Sequence, residues 1–258
     1  MLLVVAMLSV GFISCGDDDP INPNPTENTS GGDNNDDETD DGKNDGDGNE
    51  DGTDDDGSSI DTNLSDEELD MKDAQDPRRG PVSTSFQGRG TSASPYLISS
   101  AADLRLLADE CRAGNVFDGK YFKMTDDITI NQNVLNPVTG EPNDDSNFER
   151  WIPIGRYYGG GIVNAFQGIF DGDGHTISGL YINRNNWRVG LFGSVAGAGI
   201  KNITLKDSYI YGTERVGGIV GFFDNISTTG NGYVNNCHVS ATVYGKYEVG
   251  GVVGRPSY

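Results

Sequence analysis

Apolar residues in the second half of the chain recur in short clusters rather than long runs. Three clusters share one pattern, apolar, x, Gly or Asn, apolar, x, apolar. They are Ile177, Gly179, Leu180 and Ile182; Ile200, Asn202, Ile203 and Leu205; and Val234, Asn236, Cys237 and Val239. Alternation on this scale predicts short strands with one apolar face. Gly and Asn tolerate left-handed backbone angles, so the third place predicts a tight corner between two strands. Each cluster is followed by a second glycine motif: "GLFG" (Gly190 to Gly193), "GIVG" (Gly218 to Gly221) and "GVVG" (Gly251 to Gly254). On this alignment the corners are 23 and then 34 residues apart, and the longer interval holds "FFDNISTTGNG" (Phe222 to Gly232), expected as an inserted surface loop.

One such unit cannot bury its own apolar face. Stacked units, with strands about 4.8 Å apart, form continuous internal columns and pair each backbone with the layer above or below. The expected fold is therefore all-β, a right-handed parallel β-helix (solenoid) with Ile177, Ile200 and Val234 in one column. A sandwich or propeller of antiparallel hairpins is the alternative. Ahead of the repeats, Ser100 precedes Leu104, Leu107, Ala108 and Cys111, offsets of 0, 3, 4 and 7. That spacing predicts an amphipathic helix ending at Gly114, placed to cap the open N-terminal end. Short strands are expected at Tyr96 to Ile98, Tyr121 to Met124 and Ile128 to Ile130, then a polar loop from Asn131 to Arg150 before "WIPIG" (Trp151 to Gly155).

Charge divides the chain into segments. The net charge of −22 resides in residues 16–76, which hold 24 acidic side chains and two lysines, whereas residues 77–258 carry 16 acidic and 16 basic ones. No basic block exists to collect a nucleic-acid backbone. Three cysteines are too few for a disulfide scaffold. The tract from Gly16 to about Asp76, rich in Asp, Asn, Gly, Thr and Ser, lacks the apolar content to order itself and is expected to be an extended, disordered tether. Within it "LSDEELDMKDA" (Leu64 to Ala74) predicts one short helix, with Ser65 and Glu68 as a capping box. Residues 2–13 are an apolar run too short for the roughly 20 residues of a membrane-spanning helix. The segments are thus 1–14, a signal peptide; 15–79, the tether; and 80–258, the folded domain, expected to be incomplete at its C-terminal end and so prone to end-to-end self-association.

The signal run ends in "SCGDDD", which resembles a bacterial lipoprotein signal, although Phe12 stands where leucine is usual and no Lys or Arg precedes the run. The resemblance implies lipidation at Cys15 and anchorage in the outer membrane; an ordinary signal peptide is the alternative. Asp17, Asp18 and Asp19 resemble the surface-export signal of lipoproteins from the Bacteroidota. The three G-[L/I/V]-x-G copies, with "FDGDGHTISGLYI" (Phe170 to Ile182) and the preceding "WIPIG", resemble the GLUG motif over about Tyr96 to Gly254. That resemblance implies the repeat fold and a surface location, and it carries no single activity.

Residues able to do chemistry are sparse. Asp171 and Asp173 could share a proton or a metal, but Asp-Gly-Asp-Gly is turn composition, in which the carboxylates cap their own backbone. His238 alternates outward beside Cys237 and Val239, His175 lies next to the turn, and Cys111 falls on the buried helix stripe. Asp47, Asn49, Asp51 and Gly52 open a calcium-loop pattern, but Ser58 replaces the closing Glu. No recognised catalytic motif occurs, and no cofactor or metal is implied. Aromatics are the better-supplied group. Tyr211 and Tyr244 hold equivalent places before Gly212 and Gly245 and would form an outer ladder able to contact sugar rings, with Tyr157, Tyr158, Tyr181 and Trp187 as further exposed aromatics. The sequence therefore reads as a non-catalytic outer-surface lipoprotein that binds a glycan or a cell-surface protein. A polysaccharide lyase or hydrolase on the same scaffold, or a fragment of a longer protein, is the alternative.

Overall fold

The structure, a computed structural model, describes residues 64–158, 162–224 and 232–257. Cys15, the calcium-like stretch from Asp47 to Ser58, the triple glycine at 159–161 and most of the insertion (residues 225–231) lie outside the described residues. In chain order, α1 (Asp66–Ala74) precedes β1 (Tyr96–Ile98), α2 (Ala101–Arg112), β2 (Tyr121–Met124), β3 (Ile128–Thr129) and an antiparallel hairpin of β4 (Arg156–Tyr158) and β5 (Ile162–Asn164). Three passes of the repeat follow. The first comprises β6 (Ile169–Asp171), β7 (Thr176–Ser178), β8 (Tyr181–Asn183), β9 (Trp187–Val189) and β10 (Phe192–Ala196). The second comprises β11 (Gly199–Lys201), β12 (Thr204–Tyr211), β13 (Glu214–Gly217) and β14 (Val220–Asp224), and the third β15 (Tyr233–Asn235), β16 (His238–Tyr244), β17 (Tyr247–Gly250) and β18 (Val253–Ser257).

Like strands of successive passes lie side by side. One sheet runs β1-β2-β6-β11-β15, a second β3-β7-β12-β16 with β8 also on β12, a third β9-β13-β17 and a fourth β10-β14-β18. Every pairing within these four sheets is parallel, which excludes stacked antiparallel hairpins. The sheets curl around one core, and their inward apolar residues form columns. Phe170, Ile200 and Val234 are in register in the first sheet, Ile177, Leu205 and Val239 in the second, and Phe192, Val220 and Val253 in the fourth.

That register corrects the sequence alignment of the first unit. Ile200 and Val234 do share a column, but its earlier member is Phe170, and Ile177 belongs to the next sheet beside Leu205. The cause is local. Left-handed residues mark two corners around the second sheet, one at its entry, at Asn202 (φ 57°) and Asn236 (φ 51°), the other within it, at Gly179 (φ 77°) and Asp207 (φ 46°). In the first pass the sequence pattern falls on the second of these corners, at Gly179, whereas in the later two it falls on the first, at Asn202 and Asn236.

Three elements close the flanks. Helix α2, N-capped by Ser100, contributes Leu104, Leu107, Ala108 and Cys111 to the same core as Phe122 and Phe170, next to the edge strand β1. The segment 131–150 folds back on the second sheet: the backbone N–H of Leu135 donates to Asp207 at 3.0 Å, and Thr242 Oγ1 donates to the Gly140 carbonyl at 2.6 Å. Val134 and Phe148 from this segment enclose Tyr181. Helix α1 carries the predicted capping box, Ser65 and Glu68. It is not part of a disordered tether, because Leu69, Asp70 and Asp73 are buried. Asp70 accepts from Arg156 Nε at 2.9 Å and Arg184 Nη1 at 2.6 Å, Arg184 also donates to Asp73, and Asn186 donates to Asp66. Burial pushes the carboxyls of Asp66 and Asp73 above their ordinary value, while the guanidinia pull the other way. The ordered chain therefore begins at least fourteen residues before the expected boundary at 80.

Candidate functional site

The corner between the second and third sheets displays side chains in columns. Asn183, Tyr211 and Tyr244 are in register at the end of the second sheet, and Trp187, Glu214 and Tyr247 at the start of the third. Between them the turns stack as well, the N–H of Gly212 donating to the Tyr244 carbonyl at 3.1 Å. The Tyr211 and Tyr244 rings are stacked, 5.6 Å between centroids and 17° from parallel. Tyr244 is 61% exposed, Tyr247 63% and Trp187 48%, whereas Tyr211 is half-buried and donates to Asn185 Oδ1 at 3.3 Å. The expected outer ladder thus exists as geometry.

The next residue along the third sheet is unusual. Arg188, Arg215 and Glu248 occupy one position in successive passes, and all three adopt left-handed angles, φ 59°, 60° and 55°. Simple alternation after an outward Trp187 would turn Arg188 inward and Val189 outward. The left-handed residue resets the alternation, so Val189 and Val216 enter the core while the arginines lie on the outer face. This corner explains the last glycine of each second motif. A Cβ on Gly221 would lie 2.5 Å from Val189 N and 2.6 Å from Arg188 C, and one on Gly254 would lie 2.6 Å from Val216 N.

Outside this corner arginines and aromatic rings pile together. The Arg188 guanidinium lies 4.5 Å from the Tyr157 ring centroid and 5.5 Å from that of Phe222, while Arg215 lies 5.2 Å from Phe222 and 6.0 Å from Trp187. Arg215 is neutralised by Glu214 and Glu248, each at 2.9 Å, and Glu248 also holds Arg255 at 2.7 Å. Arg188 has no carboxylate within 4 Å among the described residues, and its Nε is buried without a hydrogen-bond partner. Burial, then the charge of Arg215, pulls the Arg188 pKa below its ordinary value.

Other anticipated sites fall out differently. Tyr181, expected to be exposed, is 1% exposed; segment 131–150 covers it, Tyr209 stacks on it at 5.9 Å, and its hydroxyl donates to Asp145 Oδ2 at 2.5 Å. Tyr157 is at the surface beneath Arg188, and Tyr158 ends β4 with its side chain outside the described residues. Asp171 and Asp173 form the turn read from their composition, Asp171 accepting from the Asp173 N–H at 2.9 Å. Each is paired with its own lysine, Asp171 with Lys201 at 2.9 Å and Asp173 with Lys123 at 3.1 Å. Burial raises the Asp171 carboxyl, and donation from Lys201, Asn202 and the Asp173 N–H outweighs it, so the group stays below its usual range. His175 lies 3.2 Å from Asp127, and His238 is exposed as expected. Among the described residues no three metal-ligating side chains come together. Cys111 is buried, and that burial pushes its thiol pKa well up.

Sequence reasoning passed over Arg188, Arg215 and Phe222. A signal was present: "WRV", "ERVG" and "YEVG" recur directly before the second motif, a charged residue between an outward position and a valine. A polar cleft of about 440 Å³ near β1, lined in part by Ser83, Ser99 and Asp103, was also unanticipated.

No protein-family profile matches the chain. It is similar to Halomucin of Haloquadratum walsbyi, 36% identical over 157 residues, covering 58% of this chain and 2% of that protein. It is also similar to a protein of Evansella cellulosilytica that carries the name Gly-rich membrane protein, 34% identical over 148 residues, covering 57% of this chain and 14% of the relative. The chain thus spans a small part of the length of the curated relatives it matches. Among solved structures, a Bacteroides ovatus protein named for immunoglobulin A1 protease aligns with a TM-score of 0.43 and 19% identity, over 66% of this chain and 55% of that one.

Proposed function

We propose that this chain is a non-catalytic binding module at the cell surface. An acyl anchor at Cys15 holds it in the outer membrane, the acidic tract gives it reach, and a right-handed parallel β-helix of the GLUG type presents a glycan-binding face. The single observation that carries the reading is the outward aromatic column, Tyr211 stacked on Tyr244 with Tyr247 and Trp187 across the same corner. Flat rings at the regular spacing of stacked strands suit the apolar faces of successive sugar rings and lose little entropy on binding. Parallel stacking of the passes supports the β-helix, and the name of the Evansella relative supports a cell-envelope location. The acidic side chains nearest to an enzyme-like arrangement, Asp171 and Asp173, are each already held by a lysine.

A glycan array probed with the full chain tests this. Binding that Tyr244→Ala and Trp187→Ala weaken together is the expected result, and an unchanged profile in both variants refutes it. Incorporation of labelled palmitate that is lost in Cys15→Ala tests the anchor separately.

A further inference from the structure

The aromatic corner adjoins a cation with no carboxylate within 4 Å among the described residues, which deepens the glycan-binding reading and rests on it. Arg188 is half-buried, sits between the rings of Tyr157 and Phe222, and follows the exposed Trp187 in sequence. The charged groups facing it are already committed. Glu214 pairs with Arg215, Asp66 is held by Asn186 and faces Arg156 at 3.7 Å, and Arg215 is itself a cation bound to Glu248. A guanidinium held by two rings has little rotamer freedom left to lose, and its planar fork matches a carboxylate. Partial burial strengthens such a contact relative to open water. A neutral sugar would leave this cation half-desolvated and unpaired.

We infer that Arg188, with Trp187 and Tyr157 beside it, binds the carboxylate of an acidic sugar, making uronate-bearing glycans the ligand class of this face. The aromatic rings hold the pyranose faces, and Arg188 reads the acid. No covalent step is involved.

The test measures binding of the full chain to oligogalacturonate, to its methyl ester, which keeps the sugar and removes the charge, and to a sulfated oligosaccharide of equal length. Wild type should favour the free acid over the ester by about tenfold, as one charge-assisted bidentate contact allows. Arg188→Met should lose that preference while binding the ester as wild type does, and Arg188→Lys, which keeps the charge without the fork, should recover only part of it. Both replacements preserve a long unbranched side chain at the left-handed position, and unchanged thermal unfolding of each confirms that the corner is intact. Equal binding of acid and ester by wild type, or an unaltered preference in Arg188→Met, overturns the inference. If Trp187→Ala and Tyr244→Ala still weaken ester binding in that case, glycan binding stands and only the acidic specificity falls. Loss of all discrimination between carboxylate and sulfate, with Arg188→Lys equal to wild type, also overturns it, because a point charge would then suffice.

Discussion

Replacing Asp70 with Asn should release α1 from the β body and leave the body folded. Asp70 is fully buried and holds two guanidinia, Arg156 at 2.9 Å and Arg184 at 2.6 Å, that are themselves 2% and 4% exposed. Removing one partner from a buried ion network costs about 3–5 kcal/mol, because the remaining charges stay desolvated. Undocking is the alternative, since it lets both arginines hydrate. What opposes it is the pairing that survives, Arg184 with Asp73 and Asn186 with Asp66, and a small apolar contact. Leu69 is the one apolar side chain that α1 buries, worth about 1.5–3 kcal/mol, and a nine-residue helix does not persist alone in water. The lost pairing exceeds the apolar contribution and leaves Arg184 with Asp73 and Arg156 with Asp66, at 3.7 Å, so the helix should open rather than remain docked with undercompensated charges. Hydrogen exchange reads this directly. Amides of residues 66–74 should lose protection by roughly two to three orders of magnitude, while those of β6, β11 and β12 keep theirs. Glu67→Gln, on the exposed side of the same helix, is the control. Unchanged protection over 66–74 in Asp70→Asn, or an equal loss in the β strands, refutes the reasoning.

Three further outcomes follow from the same contacts. Gly221→Ala forces a Cβ to within 2.5 Å of Val189 N, whereas at Gly251 nothing lies within 4 Å; urea unfolding should show the first destabilised by about 1–3 kcal/mol and Gly251→Ala nearly neutral, and equal midpoints would contradict the corner geometry. Burial raises the Asp103 carboxyl, but donation from Ser83, Ser99 and Ser100 outweighs it, so the folded group ionises at lower pH than the unfolded one. Its stabilisation is complete above the ordinary carboxylate range and is lost as pH falls through the depressed value, so the melting difference between wild type and Asp103→Asn should shrink on acidification; a constant difference from pH 7 to pH 3 would exclude it. Cys111, buried with a raised pKa, should resist alkylation at pH 8 until the protein unfolds, whereas half-exposed Cys237 reacts first; early labelling of Cys111 would place α2 away from the core.

Features fixed by neighbours in sequence were legible. Ser100, the stripe Leu104, Leu107, Ala108 and Cys111, and Gly114 delimit a helix found at Ala101–Arg112, because capping and amphipathicity act within a few residues. Short strands at Tyr96 and Tyr121 and the Asp171 turn were readable for the same reason. Features that depend on distant partners were not. Tyr181 has an outward strand position, and only segment 131–150 folding over it makes it a core residue. The acidic side chains of α1 have the composition of the solvated tract before them, and the arginines that bury them lie 86 and 114 residues away. Spacing did carry a trace, since Asp66, Asp70 and Asp73 fall on one helical face. The register of the first pass was misread because its one match to the pattern falls on Gly179, within the second sheet, and not on the corner equivalent to Asn202 and Asn236.

The left-handed corner separates what the fold constrains from what the surface presents. Inward places repeat with little variation: Val189 and Val216, continued by the exposed Val249 of the third pass, in one column, and Ile177, Leu205 and Val239 in another. Outward places beside them change class from pass to pass: Trp187, Glu214 and Tyr247; Arg188, Arg215 and Glu248; Asn183, Tyr211 and Tyr244. Backbone at the corner is set by the left-handed residue and by the glycine packed against it, so exchanging one long polar or aromatic side chain for another leaves the stacking intact. Arginine and glutamate at φ near +60° both satisfy it. The positions free to vary are therefore those on the outer face, and their chemistry can be rewritten without altering the stack beneath.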